Sequence, residues 1–518
     1  MNDYGSYDAR GLAELVRDGA VSPAELATEA QTRLDTAHAA HNLLAHSFDV
    51  AAALEGLPAT GPFRGVPFLL KDQLDVAGQP MTYGSRLLKD WSPEHTHPVA
   101  QRFVDAGFVT LGRTTMSELG LLPSTESDAF GPTHNPWRRG FSAGGSSGGA
   151  AAAVASGVVP LAHAADGGGS TRIPASACGL VGLKTSRGRE PRWPDDPPQG
   201  FVSHFAVTRT VGDAAALLDV LAVDGGLAKP ASYADGIERP PGPLRIGLTE
   251  AGYWGEALHS DVHATLTRAA ARMEELGHTV EPVAAPIDAE AFAEAFRILW
   301  AAGAGVFFEV ARRDAPLPTW LRRLTGLPGA FRLLTSLAGG TEGFTRRLAR
   351  AQERLSPSDL WLAEQVLDHA AARLAEFFGP HDLWMTATLS TPPMAHGALA
   401  LKASDEALKR QLFGYVGFTP VANGTGVPAI SIPGGLSEGG LPIGVQLVAP
   451  MGREDRLLGV ARAFEAAWGW PTTPRFTDSA SPIGCSSSAC PTPGTAASAR
   501  AIRGALSARP SPPTDRSS

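Results

Sequence analysis

The segment Gly144-Gly145-Ser146-Ser147-Gly148-Gly149 leads into a small apolar run from Ala150 to Ala155, then Val158-Val159-Pro160-Leu161, then Asp166-Gly167-Gly168-Gly169-Ser170. Two glycine/serine clusters therefore bracket a helix-length alanine segment and a short strand-like run, with Ser146 and Ser170 24 residues apart. Glycine lets the backbone take positive φ and approach another group closely. Consecutive N–H groups in such a loop can converge on one anion, either a phosphate or the oxyanion of a tetrahedral intermediate. A flexible linker is the alternative, and the apolar segments that follow both clusters argue against it. A phosphate cradle of the P-loop kind needs a lysine and a hydroxyl directly after its glycines, an order that neither cluster has.

Outward from this stretch, 518 residues suffice for one large domain or two to three smaller ones. An apolar content of 43% with 19% charged residues is globular. A net charge of −8 and a pI near 6.0 give no basic footprint for nucleic acid. Three cysteines, Cys178, Cys485 and Cys490, make neither a disulfide framework nor a zinc site across the main body. The opening Met1-Asn2-Asp3-Tyr4 lacks the regions of a signal peptide, and no apolar run approaches the ~18 residues of a spanning helix. The expectation is a cytoplasmic protein with no membrane partner.

Along the chain, Ser22-Pro23-Ala24-Glu25 is a capping box with proline at the first helical position. Leu26, Ala30 and Leu34 then share one face. Gly65-Val66-Pro67-Phe68-Leu69-Leu70-Lys71-Asp72 reads as a buried strand that ends in charge. Lys71 is either a solvated strand-end lysine or, given its apolar flanks, a buried one that loses proton affinity. The amphipathic stretch from Pro98 to Ala106 is closed by Gly107 before the strand Phe108-Val109-Thr110-Leu111, and Met116–Leu119 and Gly131–Trp137 read as loop. Cys178 reads as a packed small hydrophobe, and His163 as a packed histidine. Helices are expected from Thr210, over Asp261–Leu276 with Gly277 as C-cap, and over Glu454–Trp468. Strands are expected at Leu244–Leu248, from His278, at Leu383–Thr386, at Pro428–Pro433 and at Leu441–Val448. This alternation argues an α/β fold with a mainly parallel sheet. In the helical region 284–380, Phe292, Phe296, Leu299 and Trp300 have core-face spacing. Phe307, Phe308, Trp320, Leu321 and Phe331 are candidates for a pocket lining, with core packing as the alternative. From about Asp478 serine, alanine, proline and arginine take over, and 478–518 is expected to be a low-complexity, disordered tail.

A serine hydroxyl is a poor nucleophile until a base takes its proton, and a neutral lysine can be that base. Lowering its pKa from ~10.4 toward ~7–8 costs roughly 3–5 kcal/mol in the folded protein, which burial beside Phe68 and Leu70 can supply. A second serine can relay the proton between a lysine and a nucleophile that do not touch. The chain here resembles the amidase signature hydrolases, from about Gly65 to Glu465. The resemblance rests on Gly-Val-Pro-Phe-Leu-Leu-Lys71-Asp, Gly-Gly-Ser146-Ser-Gly-Gly and Asp-Gly-Gly-Gly-Ser170-Thr-Arg-Ile-Pro-Ala. It continues through Cys178-Gly-Leu-Val-Gly-Leu-Lys184, Val-Pro-Ala-Ile-Ser431 and Leu-Pro-Ile-Gly-Val-Gln446.

The resemblance implies one large α/β domain over 1–477, a twisted mixed β-sheet flanked by helices, and neither a cofactor nor a metal. It implies Ser170 as nucleophile, Ser146 as relay beside a cis peptide, Lys71 as terminal base, and the amides around Gly167, Gly168, Gly169 and Ser170 as oxyanion hole. Ser147, Asp166 and Arg172 are the expected supporting residues. The substrate would be a small-molecule amide, cleaved through an acyl-enzyme. Within the family, Gly-Pro-Phe-Arg-Gly-Val-Pro-Phe-Leu-Leu-Lys71, Ile-Pro-Ala-Ser-Ala-Cys178 and Gly452-Arg453-Glu454-Asp455 look most like 6-aminohexanoate cyclic dimer hydrolases. Two departures stand out: Ala164-Ala165-Asp166-Gly167 for the family's Gly-Thr-Asp-Thr, and Lys184-Thr185-Ser186 for its Lys-Pro-Thr. Ala165 loses a hydroxyl that would support the loop. A glutaminase-type subunit of a tRNA-dependent amidotransferase and a non-catalytic anion-binding protein are the competing readings. Oligomeric state stays open, a homodimer included.

Overall fold

Strands with no polar face dominate the centre of the molecule. In the computed structural model the described residues are 3–193, 200–239, 241–314 (backbone only from 306) and 340–470. The sheet strands are β1 Leu44–Ser47, β2 Pro67–Lys71, β3 Val109–Thr114, β4 Leu161–Asp166, β5 Val181–Lys184, β6 Ser203–Thr208, β7 Arg245–Leu248, β8 Thr279–Pro282, β9 Leu383–Ala387, β10 Ala429–Leu436 and β11 Pro442–Val448. Every residue of β2, β4, β5, β9 and β11 is buried. Such strands read as continuous apolar runs because both of their faces are covered.

Eight strands form one sheet in the order β8-β7-β9-β11-β10-β5-β6-β4, and β1-β3-β2 form a second, smaller one. The fold is α/β and its sheet is mixed, as the family resemblance implies. The mainly parallel sheet expected from helix–strand alternation is not observed. Only β8–β7 and β7–β9 are parallel in the large sheet, and its other five pairings are antiparallel. Alternation says that strands are separated by helices; it does not say which edges they return to. One antiparallel pair is a hairpin: β10 and β11 are joined through Ser437-Glu438-Gly439-Gly440, where Ser437 Oγ accepts the Leu441 N–H and Gly440 has φ +73°. The segment read as loop before the first glycine cluster also holds short antiparallel pairs, Glu126–Ser127 with Gly131–Pro132 and His134–Asn135 with Arg138–Ser142.

The helix signals hold. Ser22 and Glu25 close a reciprocal capping box on the helix Pro23–His41, and Leu26, Ala30 and Leu34 are fully buried. Thr210 accepts the Asp213 N–H at the start of Val211–Leu221, and Glu454–Trp468 is the last helix described. The alanine run forms the helix Gly148–Ala155, buried at every residue. Gly149 is required there by close approach: a Cβ on it would lie 2.4 Å from Thr115 Oγ1 and 2.7 Å from the Thr115 backbone. The helix therefore begins directly against the end of β3. Cys178 is buried, as expected, and burial pushes its thiol far above the usual range. Pocket candidates Trp320, Leu321 and Phe331, the side chains of Phe307 and Phe308, and the 478–518 tail lie outside the described residues.

Candidate active site

Lys71 ends β2, and Ser146 and Ser147 lie just before the buried alanine helix. Asp166 ends β4, and the loop Gly167–Ser170 carries the chain into the helix Arg172–Cys178. Strand β2 lies alongside β4, so the ends of the two sheets meet where these segments converge. The Gly145–Ser146 peptide is cis.

Lys71 has no exposed surface, and its Nζ stands 2.7 Å from Ser146 Oγ and 3.2 Å from the Ala165 carbonyl oxygen. Burial pushes its pKa down to about 7, against the opposing pull of the Asp166 carboxylate. A neutral amine has a lone pair and can accept the Ser146 hydroxyl proton. The position where Ala165 lacks a family hydroxyl is held through its backbone: the Ala165 carbonyl accepts from Lys71 Nζ and, at 3.4 Å, from Ser147 Oγ.

Asp166 organises the glycine loop. Its carboxylate accepts the N–H groups of Gly169 at 2.7 Å and Thr171 at 3.2 Å, and both Nε and Nη2 of Arg172 at 2.9 Å. Burial works against this charge, yet the Arg172 guanidinium and the hydrogen bonds hold Asp166 well below the usual carboxylate range. Arg172 in turn donates to Gln446 Oε1 and to Asn423 Oδ1, each at 2.7 Å. Asn423 Nδ2 donates to the Asp166 carbonyl at 2.7 Å, and Thr419 Oγ1 donates to the Gly168 carbonyl at 3.1 Å. The Gly169 N–H is thereby engaged by Asp166.

Asn423 and Thr419 went unread in the sequence. Their one signal is a pair of polar side chains in a segment otherwise apolar, Thr419-Pro420-Val421-Ala422-Asn423, and that signal names no partner. His163 is packed, as its place on a strand predicts. Its Nδ1 accepts the Lys71 backbone N–H at 3.2 Å, and its Nε2 lies 3.2 Å from His204 Nδ1. Burial holds both histidines well below their usual pKa, hence neutral.

Ser170, 8% exposed, lines a pocket of about 100 Å³ that is partly open to solvent, together with Gly168, Leu121, Phe296, Trp300 and Val416. The structure thus brings Lys71 and Ser146 into contact and sets Ser170 on the loop tied to Asp166 and Arg172. Among the described residues no group of three or more histidine, cysteine, aspartate or glutamate side chains is arranged to hold a metal, and no helix is long and apolar enough to cross a membrane.

The mixed-sheet α/β fold thus sets a serine on a glycine-rich loop beside an apolar pocket, a layout that a serine hydrolase could use. The chain belongs to the amidase family, the amidase signature enzymes, whose family model matches residues 25–458. It is accordingly an amidase, a hydrolase of carbon–nitrogen bonds. It is 36% identical over 480 residues to the protein named AmiC of Mycobacterium tuberculosis, covering 90% of this chain and 95% of that one. It is 35% identical over 486 residues to the 6-aminohexanoate-cyclic-dimer hydrolase of Paenarthrobacter ureafaciens, covering 89% and 95%. A solved structure of 6-aminohexanoate cyclic dimer hydrolase complexed with substrate superposes with a TM-score of 0.81 at 32% identity, covering 91% of this chain and 99% of that one.

Proposed function

We propose that the enzyme cleaves a small carboxamide through Lys71, Ser146 and Ser170 and a covalent acyl-Ser170. One observation carries the reading: a fully buried lysine amine 2.7 Å from Ser146 Oγ, with no carboxylate among the described residues bonded to its Nζ. Neutral Lys71 takes the Ser146 proton as Ser146 takes that of Ser170. Ser170 Oγ bonds to the amide carbon, and the amides of Gly167 and Gly168 receive the oxyanion. The C–N bond breaks as the nitrogen collects a proton back through Ser146, and the amine or ammonia leaves. Water then gives up a proton along the same route, attacks the acyl carbon and frees the carboxylate. Removing one oxyanion donor in a comparable enzyme costs roughly 3–4 kcal/mol, which is why the engagement of Gly169 by Asp166 matters.

Relatives named as cyclic dimer hydrolases support a substrate range that includes cyclic or linear oligoamides. No residue described here favours the amidotransferase reading, which predicts a chain inactive without partner subunits. The test is a rapid quench followed by intact-protein mass measurement. The wild type should gain the mass of the acyl group. Ser170→Ala should show no adduct and lose at least ~1,000-fold in kcat while keeping the wild-type Tm. An adduct on Ser170→Ala, or unchanged turnover, would remove the assignment.

A further inference from the structure

Two segments far apart in the chain meet at the pocket beside Ser170. The helix Gly343–Gln352 contributes Phe344, Leu348 and Ala351, and the residues just after the single turn Glu118–Gly120 contribute Leu121 and Leu122. Leu121, Leu122 and Phe344 share one buried apolar cluster. A polar contact also joins the two segments, and Glu118 makes it.

The first N–H groups of a helix need acceptors from outside it. Glu342, the N-cap residue of Gly343–Gln352, makes no side-chain cap of its own. In a capping box a carboxylate at the third helical position reaches back to the N-cap N–H. Here that position is Thr345, and Glu118 plays the part from 224 positions away. Glu118 is 3% exposed, and its Oε2 accepts the Glu342 N–H at 2.8 Å and the Thr345 hydroxyl. Its Oε1 accepts the hydroxyl of Ser85, also buried, at 2.6 Å. A cap supplied from within a helix steadies that helix wherever it lies. A cap supplied by another segment also fixes where the helix lies. The capping turn is itself set against the site: a Cβ on Gly120 would stand 3.3 Å from Ser146 Oγ.

We propose that Glu118 is a specificity-determining positioning residue. By capping Gly343–Gln352 it holds that wall of the pocket in place, and so sets what an amide gains from a body long enough to reach Phe344 and Leu348. The turnover readout of this inference rests on the Ser170 reading; the binding readout does not.

Glu118→Leu leaves the three donors without their acceptor. Glu118→Gln keeps the shape: its oxygen can face Glu342 and Thr345, and its amide can donate to Ser85 Oγ, whose own proton can turn to the Gly340 carbonyl 3.2 Å away. Acetamide and hexanamide are the probes, one too short to reach the wall and one long enough. Glu118→Leu should lower the hexanamide-to-acetamide ratio of kcat/KM about tenfold, mainly through the KM of hexanamide. Glu118→Gln should bring the ratio back to within about threefold of wild type. An unmoved ratio would overturn the inference, as would a glutamine variant no better than leucine. An equal loss on both amides, carried by kcat, would also overturn it, because Glu118 would then act on Ser146 and not on the wall. Thr345→Val removes a single donor and should move the ratio the same way by about threefold; it stands in for Glu118→Leu if that variant does not fold.

Calorimetry with hexanamide on a Ser170→Ala background separates this inference from the mechanism. If the wild type hydrolyses neither amide, the Ser170 mechanism falls. The clamp still stands if hexanamide binds and Glu118→Leu raises its Kd about tenfold. If hexanamide does not bind, or its Kd is unmoved by Glu118→Leu, the clamp falls whatever the turnover.

Discussion

In the proposed mechanism Lys71 concentrates the chemistry in one group. Held in burial with a pKa of about 7, it carries a proton through much of the acid range and is neutral above it. The kcat/KM of a neutral substrate should therefore fall below about pH 7 with the loss of one deprotonated group and level off above it. A rate flat from about pH 5 to 9 would contradict a lysine base. The same burial costs stability. Between the folded value of about 7 and the ordinary 10.5, the unfolded chain binds more protons at this group than the folded chain does. Stability consequently rises with pH across that window, and the penalty is full below it. Lys71→Met keeps the volume and removes the charge. It should abolish turnover and yet raise stability by ~1–3 kcal/mol near neutral pH, with the gain shrinking toward pH 10. Denaturant unfolding of both proteins at several pH values checks this.

At the scale of elements, β2 and β4 belong to different sheets, and their relative placement brings Lys71 to the loop of Ser170. His163 bridges them by accepting the Lys71 N–H, a bond that only a neutral ring can accept. His163→Leu should lower kcat by about 10- to 100-fold, the scale of a small misplacement of reacting groups. It should also move the acid limb of the pH profile upward as water reaches the loosened amine. His163→Asn sets an acceptor oxygen near the place of Nδ1 and should recover most of both losses. A fall in kcat with no movement of the acid limb would mean that the bridge supports the fold and not the base. These elements were legible one by one. The buried strand before Lys71, the capping box at Ser22 and the alanine helix between the clusters all declare themselves through period, caps and composition. The antiparallel majority of the sheet did not, because strand pairing is chosen by edges brought together from distant segments. The Ser437–Gly440 turn was the one local cue for it.

For the whole molecule, the open question is 478–518, whose composition offers little to bury. A chain ending at residue 477 should match the full chain in Tm within about 1 °C and in kcat within about twofold, since terminal segments without packing contribute little. A larger loss in thermal unfolding or turnover would assign the tail to the fold. The sequence alone determined the enzyme's family and put forward its candidate reactive groups, because Lys71, Ser146, Ser170 and the glycines around them sit in short local motifs where spacing and residue type are legible directly. Only the tertiary structure decided what surrounds them: the Asp166–Arg172–Asn423 lattice that takes the Gly169 amide, the His163 bridge, and the apolar pocket beside Ser170. Those depend on contacts between residues up to hundreds of positions apart, whose packing and paired charges take effect only once the chain has folded.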